Sequence, residues 1–444
     1  MEPLTPPQVV RRLVDRLAFG LPAHELRGLT TLTPARAAAA LFAASAGPAP
    51  APPELMPLPD RGKTSGDDAK KARRQLLRAN RRTLSRWWLS QLIGSDAATR
   101  ERLVWFWHGH FVTSIQKVKR AQLMLQQNQA FRRLGPAGFP ALAHALIVDP
   151  ALMVWLDAPK NRKGSPNENL AREYLELFTL GHGAYTETDV AEAARALTGW
   201  AIRTGDGGAR AVLVPRRHDA GEKTVLGGTG RFGASDLVDL ALQQPACARF
   251  VVSRLWTRFL SHRPPSEQEL ERLVGVYRRR PDGIRAVLEA MVTSAAFSDP
   301  DAALVKEPVL WLAGLTRQLG ISDTQLAQPA RQGREATVAD TLLAGLQAMG
   351  QLPFAPPSVG GWPSGRGWLS SGTAAARLTL ATRVVTLAGP KLAGSHRARV
   401  AATAGLLGVD GWSGRTADAL AGVADRPTQL VALAACSPEY IVSR

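Results

Sequence analysis

Two apolar stripes run through NENLAREYLELFTLGHGAYTETDVAEAARALTGW, residues 167–200. In the first, Leu170, Tyr174 and Phe178 recur every four residues, which places them on one face of a helix. Gly181 is expected to end this helix, because glycine is favoured just past a helix C-terminus. Helical periodicity dominates the rest of the chain, so we predict a mainly α fold: a large all-helical domain with one small β-hairpin insertion.

Polar side chains sit unusually close to the apolar face of the first helix. At about 100° per residue, Glu173 falls at the edge of the core, with Glu176 and Asn169 beside it and Arg172 and Glu168 farther toward solvent. A carboxylate placed among leucines needs a partner, or its pKa rises by desolvation. We therefore expect Glu173 to face inward and to meet an imidazole.

The second helix explains part of the charge without any special chemistry. Thr186 is a suitable N-cap, and Asp189 stands three residues later, where a carboxylate completes a capping box. Glu187 in the first turn suits the positive end of the helix dipole.

A pair of histidines occurs in WFWHGHF, residues 105–111. His108 and His110 point about 200° apart on a regular helix, so they converge only if Gly109 breaks the helix. His110 shares a face with Trp107 and should be inward. Two interpretations remain open: a satisfied core histidine, or a ligand of a metal or acid–base site.

A third candidate lies in RRHDAGEKTVLGG, residues 216–228. His218 and Asp219 stand there in a loop with Gly221 and Lys223. Such a pair is either an inert surface loop or, if it lies near Glu173 in the fold, a proton shuttle.

Composition restricts the classes of protein. The chain has 444 residues with 45% hydrophobic and 21% charged residues, enough for a large core. No apolar run reaches the ~20 residues of a membrane span, no signal peptide is visible, and the two cysteines lack CxxC spacing, so we expect a cytoplasmic protein.

The net charge of +18 attracts polyanions, but arginine richness is also typical of GC-rich genomes. No nucleic-acid-binding motif is present, so nucleic acid is an unlikely partner.

The chain is divided by its composition. The predicted parts are N-terminal helices (1–46), a Pro-rich connector (47–60), a helical first half with the polar motif block (61–200), a small β-hairpin lobe (201–235) and a helical second half (236–444) with a Pro/Gly/Trp loop (349–371). That loop is either functional or a flap that buries Trp362 and Trp368. Ten basic residues between 61 and 90, Arg61 and Lys63 among them, form a solvated helix face or a docking surface for an acidic protein or peptide.

Several of these stretches together resemble the large bacterial family labelled domain of unknown function eighteen-hundred. They are WFWHGHF, the block LDAPKNRKGSP with residues 167–200, RRHDAGEKTVLG, RFVVSRLWTRFL and PPSVGGWPSGRGWL. The resemblance extends from RLAFG near the start to SPEY near the end. The matching motif positions are Asn161, Asn167, Glu168, Asn169, Arg172, Glu173, Glu176, Thr186, Glu187, Asp189, Gly199, Trp200, His218 and Asp219.

The family name carries no activity. The resemblance implies that members often occur beside genes for sulfatase-like proteins, a candidate partner here, and that many members are exported, whereas this chain shows no leader.

The leading functional hypothesis is a metal-dependent enzyme, either oxidative or hydrolytic. Its divalent metal (Fe, Mn or Zn) is held by His108, His110, Glu173 and Glu176, and His218 and Asp219 are catalytic. The remaining motif residues (Asn161, Asn167, Glu168, Asn169, Arg172, Thr186, Glu187 and Asp189) form a structural polar network. The rival is a non-catalytic helical adaptor, in which the whole polar block is structural. A third alternative is polyanion binding through the arginine-rich surface.

Overall fold

The computed structural model describes residues 2–59, 66–136, 138–205, 208–280, 282–330 and 335–443. Arg61 and Lys63 of the predicted basic stretch, and the boundary at residues 60 and 61, lie outside the described residues. Within them the fold is mainly α, as the sequence predicts.

Helices predominate in the described part of the first 200 residues. They are α1 (Pro6–Leu17), α2 (Ala23–Thr30), α3 (Pro34–Ala44), α4 (Asp67–Gly94), α5 (Ala98–His108), α6 (Ile115–Val118), α7 (Ala121–Leu134), α8 (Phe139–Ile147), α9 (Pro150–Trp155), α10 (Asn169–Glu173) and α11 (Glu187–Ala196). A 3₁₀ turn occupies Ala158–Lys160, and a π-helical turn, Tyr174–Thr179, continues α10.

The region predicted as one β-hairpin contains two. β1 (Trp200–Gly205) pairs with β2 (Gly208–Leu213), and β3 (Lys223–Val225) pairs with β4 (Gly228–Gly230), both antiparallel. The prediction of a single hairpin is therefore wrong in number, because the two β-prone runs near 211–227 each pair with their own sequence neighbour. A 3₁₀ turn, Pro215–Arg217, separates them.

Helices return after the hairpins. They are α12 (Ala234–Gln243), α13 (Pro245–Phe259), α14 (Glu267–Arg279), α15 (Gly283–Val292), α16 (Ala295–Ser298), α17 (Pro308–Gln318), α18 (Asp323–Ala327), α19 (Val338–Ala348), α20 (Ser371–Ala388), α21 (His396–Leu406), α22 (Gly414–Ala421), α23 (Pro427–Ala434) and α24 (Pro438–Ile441). A third strand pair joins β5 (Leu304–Val305) to β6 (Val442–Ser443), with Val305 opposite Val442.

The two predicted halves share one core. A single cluster of buried side chains includes members from Val9 to Tyr440. The long helix α4 of the first half packs on α17 and α19 of the second. Arg82 and Arg86 of α4 both bind Asp340 of α19, so part of the basic face predicted as a docking surface is used inside the fold.

Buried arginines connect segments that are far apart in sequence. The guanidinium of Arg16 donates to the carbonyls of Leu260, Ala302 and Ser443. Arg102 donates to the carbonyl of Arg16 over 3.0 Å and to that of Arg258 over 2.9 Å. Because arginine carries five donors in a rigid fork, one side chain satisfies carbonyls at several chain ends.

The Pro/Gly/Trp loop 349–371 packs against α5 and the strand β5. It buries both tryptophans named above, with Trp362 7% and Trp368 2% exposed. Trp362 stacks on Trp105 with ring centroids 5.1 Å apart. The loop ends in a 3₁₀ turn, Gly365–Trp368, that leads into α20.

None of the helices in the described residues has the length and apolar character required to span a bilayer.

Candidate functional site

The helix that carries Glu173 is not regular. Its π-helical turn is closed by a hydrogen bond from the Leu180 amide to the Leu175 carbonyl over 2.8 Å, one residue longer than in an α-helix. The Thr179 hydroxyl donates to the Tyr174 carbonyl over 2.7 Å. Side chains after Tyr174 are therefore rotated relative to the regular helical wheel used in the sequence analysis.

Glu173 lies at the edge of the core without an imidazole partner. Its side chain is partly exposed, and its pKa is raised by desolvation and then by the charge of Glu176. In the described chain no histidine forms an ion pair or hydrogen bond with it. Glu176 accepts a hydrogen bond from the Tyr185 hydroxyl and lies 3.5 Å from the Nδ1 atom of His182.

His108 and His110 are both buried, but they point into different clusters. Helix α5 ends at His108, so Gly109 does break the helix. The His108 ring packs among Trp88, Phe354 and Trp362 at centroid distances of 5.1–5.5 Å. Burial lowers its pKa to about 3, so the imidazole is neutral.

His110 lies two residues after the end of α5 and packs in a different aromatic cluster. Its ring contacts Phe111, Phe139 and other aromatic side chains. Its Nε2–H donates to the carbonyl of Phe178 in the π-helical turn over 2.8 Å. Burial and then the charge of Arg254 lower its pKa to about 3, which fixes the neutral form.

The predicted metal ligands are thus not assembled into one centre. Among the residues that the structure describes, no three His, Cys, Asp or Glu side chains are grouped so as to hold a metal ion. His110 is tied to a carbonyl and Glu176 to Tyr185. Metal binding by His108, His110, Glu173 and Glu176 stays a prediction without geometric support here.

His218 and Asp219 hold the hairpin lobe against α11. Asp219 binds the Nε atom of Arg195 over 2.8 Å, and this bond lowers the pKa of Asp219 to about 2. The Nδ1–H of His218 donates to the carbonyl of Thr198 over 2.9 Å. A Cβ at Gly199 would lie 2.9 Å from the backbone nitrogen of His218, so only glycine fits there.

The other motif residues form three groups of hydrogen bonds. Asn161 donates to the Ala194 carbonyl over 2.8 Å and accepts from the Asn167 amide over 3.0 Å. Arg172 binds Glu187 through two bonds of 2.9 and 2.6 Å.

The remaining members make shorter-range contacts. The Asn169 amide donates to the Asn167 side chain, Glu168 binds Arg172 over 3.3 Å, and Thr186 with Asp189 forms the predicted capping box. The polar block therefore consists largely of contacts between α10, α11 and the loops around them.

A cation-lined groove of about 810 Å³ opens at a different place in the molecule. Helix α13, the β5–β6 pair and the 3₁₀ turn at the end of loop 349–371 form its walls. Its cationic lining residues are Arg254, Arg258, Arg263 and Arg366, with His262 among them and Asp301 as the carboxylate. Hydroxyl groups of Ser253, Thr257, Ser261 and Ser364 add hydrogen-bonding groups.

Arg254 is the groove arginine that keeps a buried donor without a partner. One Nη donates to the carbonyl of Gly109 over a long 3.2 Å, and its Nε is buried without a partner. Desolvation and then the neighbouring Arg258 lower its pKa to about 10, so it is still charged at neutral pH. Within the described residues no carboxylate pairs with it.

Arg258 is held by a buried acid. Its Nη1 lies 3.4 Å from the Oε1 atom of Glu307. The other carboxylate oxygen of Glu307 accepts from the indole of Trp105 over 3.4 Å and from the amide of Gln351. Glu307 therefore holds Arg258 in position, while Arg254 beside it has no carboxylate partner among the described residues.

His262 lies three residues after the last residue of α13, Phe259, in the segment that follows the helix. Gly365 has a φ of +56°, and a Cβ at that position would lie 3.2 Å from the ring of His262. Burial and then the charge of Arg258 lower the pKa of His262, so it is neutral at neutral pH. The close approach of the glycine keeps this imidazole at the rim of the groove.

Sequence reasoning did not select these residues, although a signal was present. Arg254 and Arg258 are spaced four apart on one helix and so share a face. Both lie in RFVVSRLWTRFL, and Arg366 lies in PPSVGGWPSGRGWL, two of the stretches that carry the family resemblance. Only the tertiary structure brings the two stretches together.

No curated protein and no solved structure gives a significant match to the chain. One family model, described as protein of unknown function (DUF1800), matches residues 12–442. Because this match covers nearly the whole chain, the protein belongs to that family.

Proposed function

We propose that the protein binds an anionic ligand, such as a phosphate, sulfate or carboxylate group, in the groove between α13 and loop 349–371. The observation that carries this proposal is Arg254, a partly buried cation whose buried Nε donor has no partner. A desolvated charge is costly unless an opposite charge or a full set of hydrogen bonds compensates it.

The buried arginines of the chain differ in how far protein oxygens compensate them. Arg12 and Arg377 also keep buried nitrogens without a partner, so the unpartnered Nε of Arg254 matters because Arg254 lines this groove. Arg16 and Arg102 are compensated more completely. Arg16 uses Nε, Nη1 and Nη2 on protein oxygens, and Arg102 uses Nε and Nη2 on two carbonyls. These side chains serve the fold. Arg254 makes one long hydrogen bond instead, and it lines an open groove.

The composition of the groove favours an anion. The charged lining residues are four arginines and one carboxylate, Asp301, so the local electrostatic potential is strongly positive. Arginine is suited to bidentate recognition of phosphate and carboxylate groups. Hydrogen bonds to charged groups contribute roughly 1.5–3 kcal/mol each, so each arginine that contacts the anion should strengthen binding measurably.

Polyanion binding through the arginine-rich surface is the third alternative that the sequence leaves open, and this proposal assigns anion binding to one groove of that surface. Metal-dependent catalysis, oxidative or hydrolytic, remains a prediction. The same holds for the adaptor function, for an acidic partner on the face of α4 and for a sulfatase-like partner. Anion binding is compatible with an enzyme that acts on an anionic substrate and with a binding protein.

The test measures binding of inorganic phosphate by phosphorus-31 NMR at constant ionic strength. Arg366→Gln removes one exposed cation from the groove, and we expect the dissociation constant to rise roughly three- to tenfold. Arg254→Gln should raise it further. The matched control is Arg397→Gln on α21, an exposed arginine outside the groove, which changes the net charge equally.

Equal dissociation constants for the wild type, Arg366→Gln and Arg397→Gln would overturn the proposal. Since Arg366 is exposed, its variant is expected to fold even if Arg254→Gln does not.

A further inference from the structure

We infer that the anion bound in this groove carries an aliphatic chain, so that the ligand is a small amphiphile such as an alkyl phosphate, an alkyl sulfate or a fatty acid. This inference rests on the proposed function. The observation that supports it is the apolar part of the groove lining, because binding of an anion alone would not require apolar side chains there.

Aliphatic side chains line the groove beside the arginines. They are Ala303, Val305, Leu369 and Val442. Leu369 is 49% exposed, the highest value among the large hydrophobic side chains that the structure describes as exposed. An exposed apolar side chain next to a ligand groove is informative when several others adjoin it.

The backbone that carries the apolar surface is held by hydrogen bonds. Val305 and Val442 lie opposite each other in the β5–β6 pair. The Leu369 amide donates to the Arg366 carbonyl over 2.9 Å, which fixes Leu369 one turn away from a groove cation. Apolar and cationic side chains are thus held next to each other before any ligand binds, which lowers the ordering cost of binding.

The apolar part of this surface is mainly aliphatic, which suits an alkyl chain. The aromatic side chain at the groove is Phe250, four residues before Arg254. A Cβ built at Gly181 would lie 2.9 Å from its ring, and its centroid is 6.0 Å from that of His110, so part of the ring is covered by protein. Most of the apolar lining is aliphatic, and an alkyl chain can lie along the leucine and valine side chains.

The test uses a homologous series, methyl, butyl and hexyl phosphate, with the dissociation constants measured by phosphorus-31 NMR. A fully buried methylene contributes about fourfold in affinity, and a half-open groove should give roughly twofold per methylene. In Leu369→Ser this gain per methylene should shrink, while the affinity for methyl phosphate stays unchanged. The matched control is Leu378→Ser on α20, a similarly exposed leucine (45%) outside the groove.

Failure of the inference differs from failure of the proposed function. If methyl phosphate binds and the chain adds nothing, the ligand is a simple anion and the inference is wrong. If no member of the series binds, the groove is not an anion site. A gain that survives in Leu369→Ser would also overturn the inference.

Co-sedimentation with phosphatidylglycerol vesicles identifies the source of the amphiphile. Pelleting that is reduced by Leu369→Ser and not by Leu378→Ser points to a lipid in a bilayer. Binding of hexyl phosphate without pelleting points to a free amphiphile. Either result supports the shared chemistry.

Discussion

At the scale of single residues, buried arginines have two uses in this protein. Arg16 and Arg102 donate hydrogen bonds to backbone carbonyls, whereas Arg254 keeps a donor without a partner beside the groove. The residue type is the same in each case, so the difference lies in which acceptors the fold places around it. A buried guanidinium is a candidate binding group only when those acceptors are absent.

His262 gives a prediction about pH. Its pKa lies below the ordinary value of 6.5 in the free protein, and a bound anion should raise that pKa because it favours the charged imidazole. By linkage, affinity for sulfate, which does not titrate in this range, should increase as the pH falls. We expect the dissociation constant for sulfate to be lower at about pH 5.5 than at about pH 7.5.

The measurement is the dissociation constant for sulfate at constant ionic strength across that range. His262→Gln should bind sulfate with little change over the same pH values. A pH profile that is identical in His262→Gln and the wild type would show that His262 does not face the anion.

At the scale of helices and strands, local sequence signals explain where most elements begin. Thr186 with Asp189 and Thr337 with Asp340 form capping boxes at α11 and α19. The departures come from tertiary contacts. The π-helical turn after Glu173 frees the Phe178 carbonyl for His110, and no spacing in the sequence shows that extra residue.

The clamp between α4 and α19 gives a second prediction. Asp340 has its pKa held below the ordinary 3.8; burial opposes this, but the hydrogen bonds from Arg82 and Arg86 outweigh it. A depressed carboxyl pKa stabilises the folded state above the unfolded pKa, and this stabilisation is lost as the pH falls through the folded value. Asp340→Asn keeps an acceptor for the Thr337 amide and removes the charge.

We expect Asp340→Asn to lower the free energy of unfolding by roughly 1–2 kcal/mol at about pH 7. The difference from the wild type should shrink at about pH 3. Urea unfolding at both pH values checks this. Asp410→Asn, which breaks the more exposed pair with Arg11, is the control and should cost less than about 1 kcal/mol. An Asp340→Asn effect that does not depend on pH would contradict the ion-pair explanation.

At the scale of the whole molecule, the ends of the chain are tied to its middle. Arg16 in α1 binds carbonyls after α13, before β5 and in β6. The same junction supports the groove, because the β5–β6 pair is one of its walls. Fold stability and groove geometry therefore depend on one set of long-range contacts.

Arg16→Met gives the third prediction. The substitution leaves several buried carbonyl oxygens without donors, and we expect the free energy of unfolding to fall by about 3–5 kcal/mol. Denaturant unfolding measures this loss. Arg11→Met on the outer side of α1 removes a partly exposed ion pair and should cost less than about 1 kcal/mol. Similar losses in both variants would mean that the buried contacts of Arg16 do not stabilise the fold specifically.

The sequence by itself determined the helical class, the N-cap of α11 and the family. The helical class and the cap follow from periodicity and capping chemistry, which depend on residues close together in the chain. The family follows from motifs that are visible in the sequence itself. The tertiary structure alone decided which polar groups face each other. His108 and His110 diverge, Glu173 meets no imidazole, and the arginines of α13 meet a loop about 110 residues later in the chain, because side-chain neighbours depend on long-range packing that no local pattern encodes.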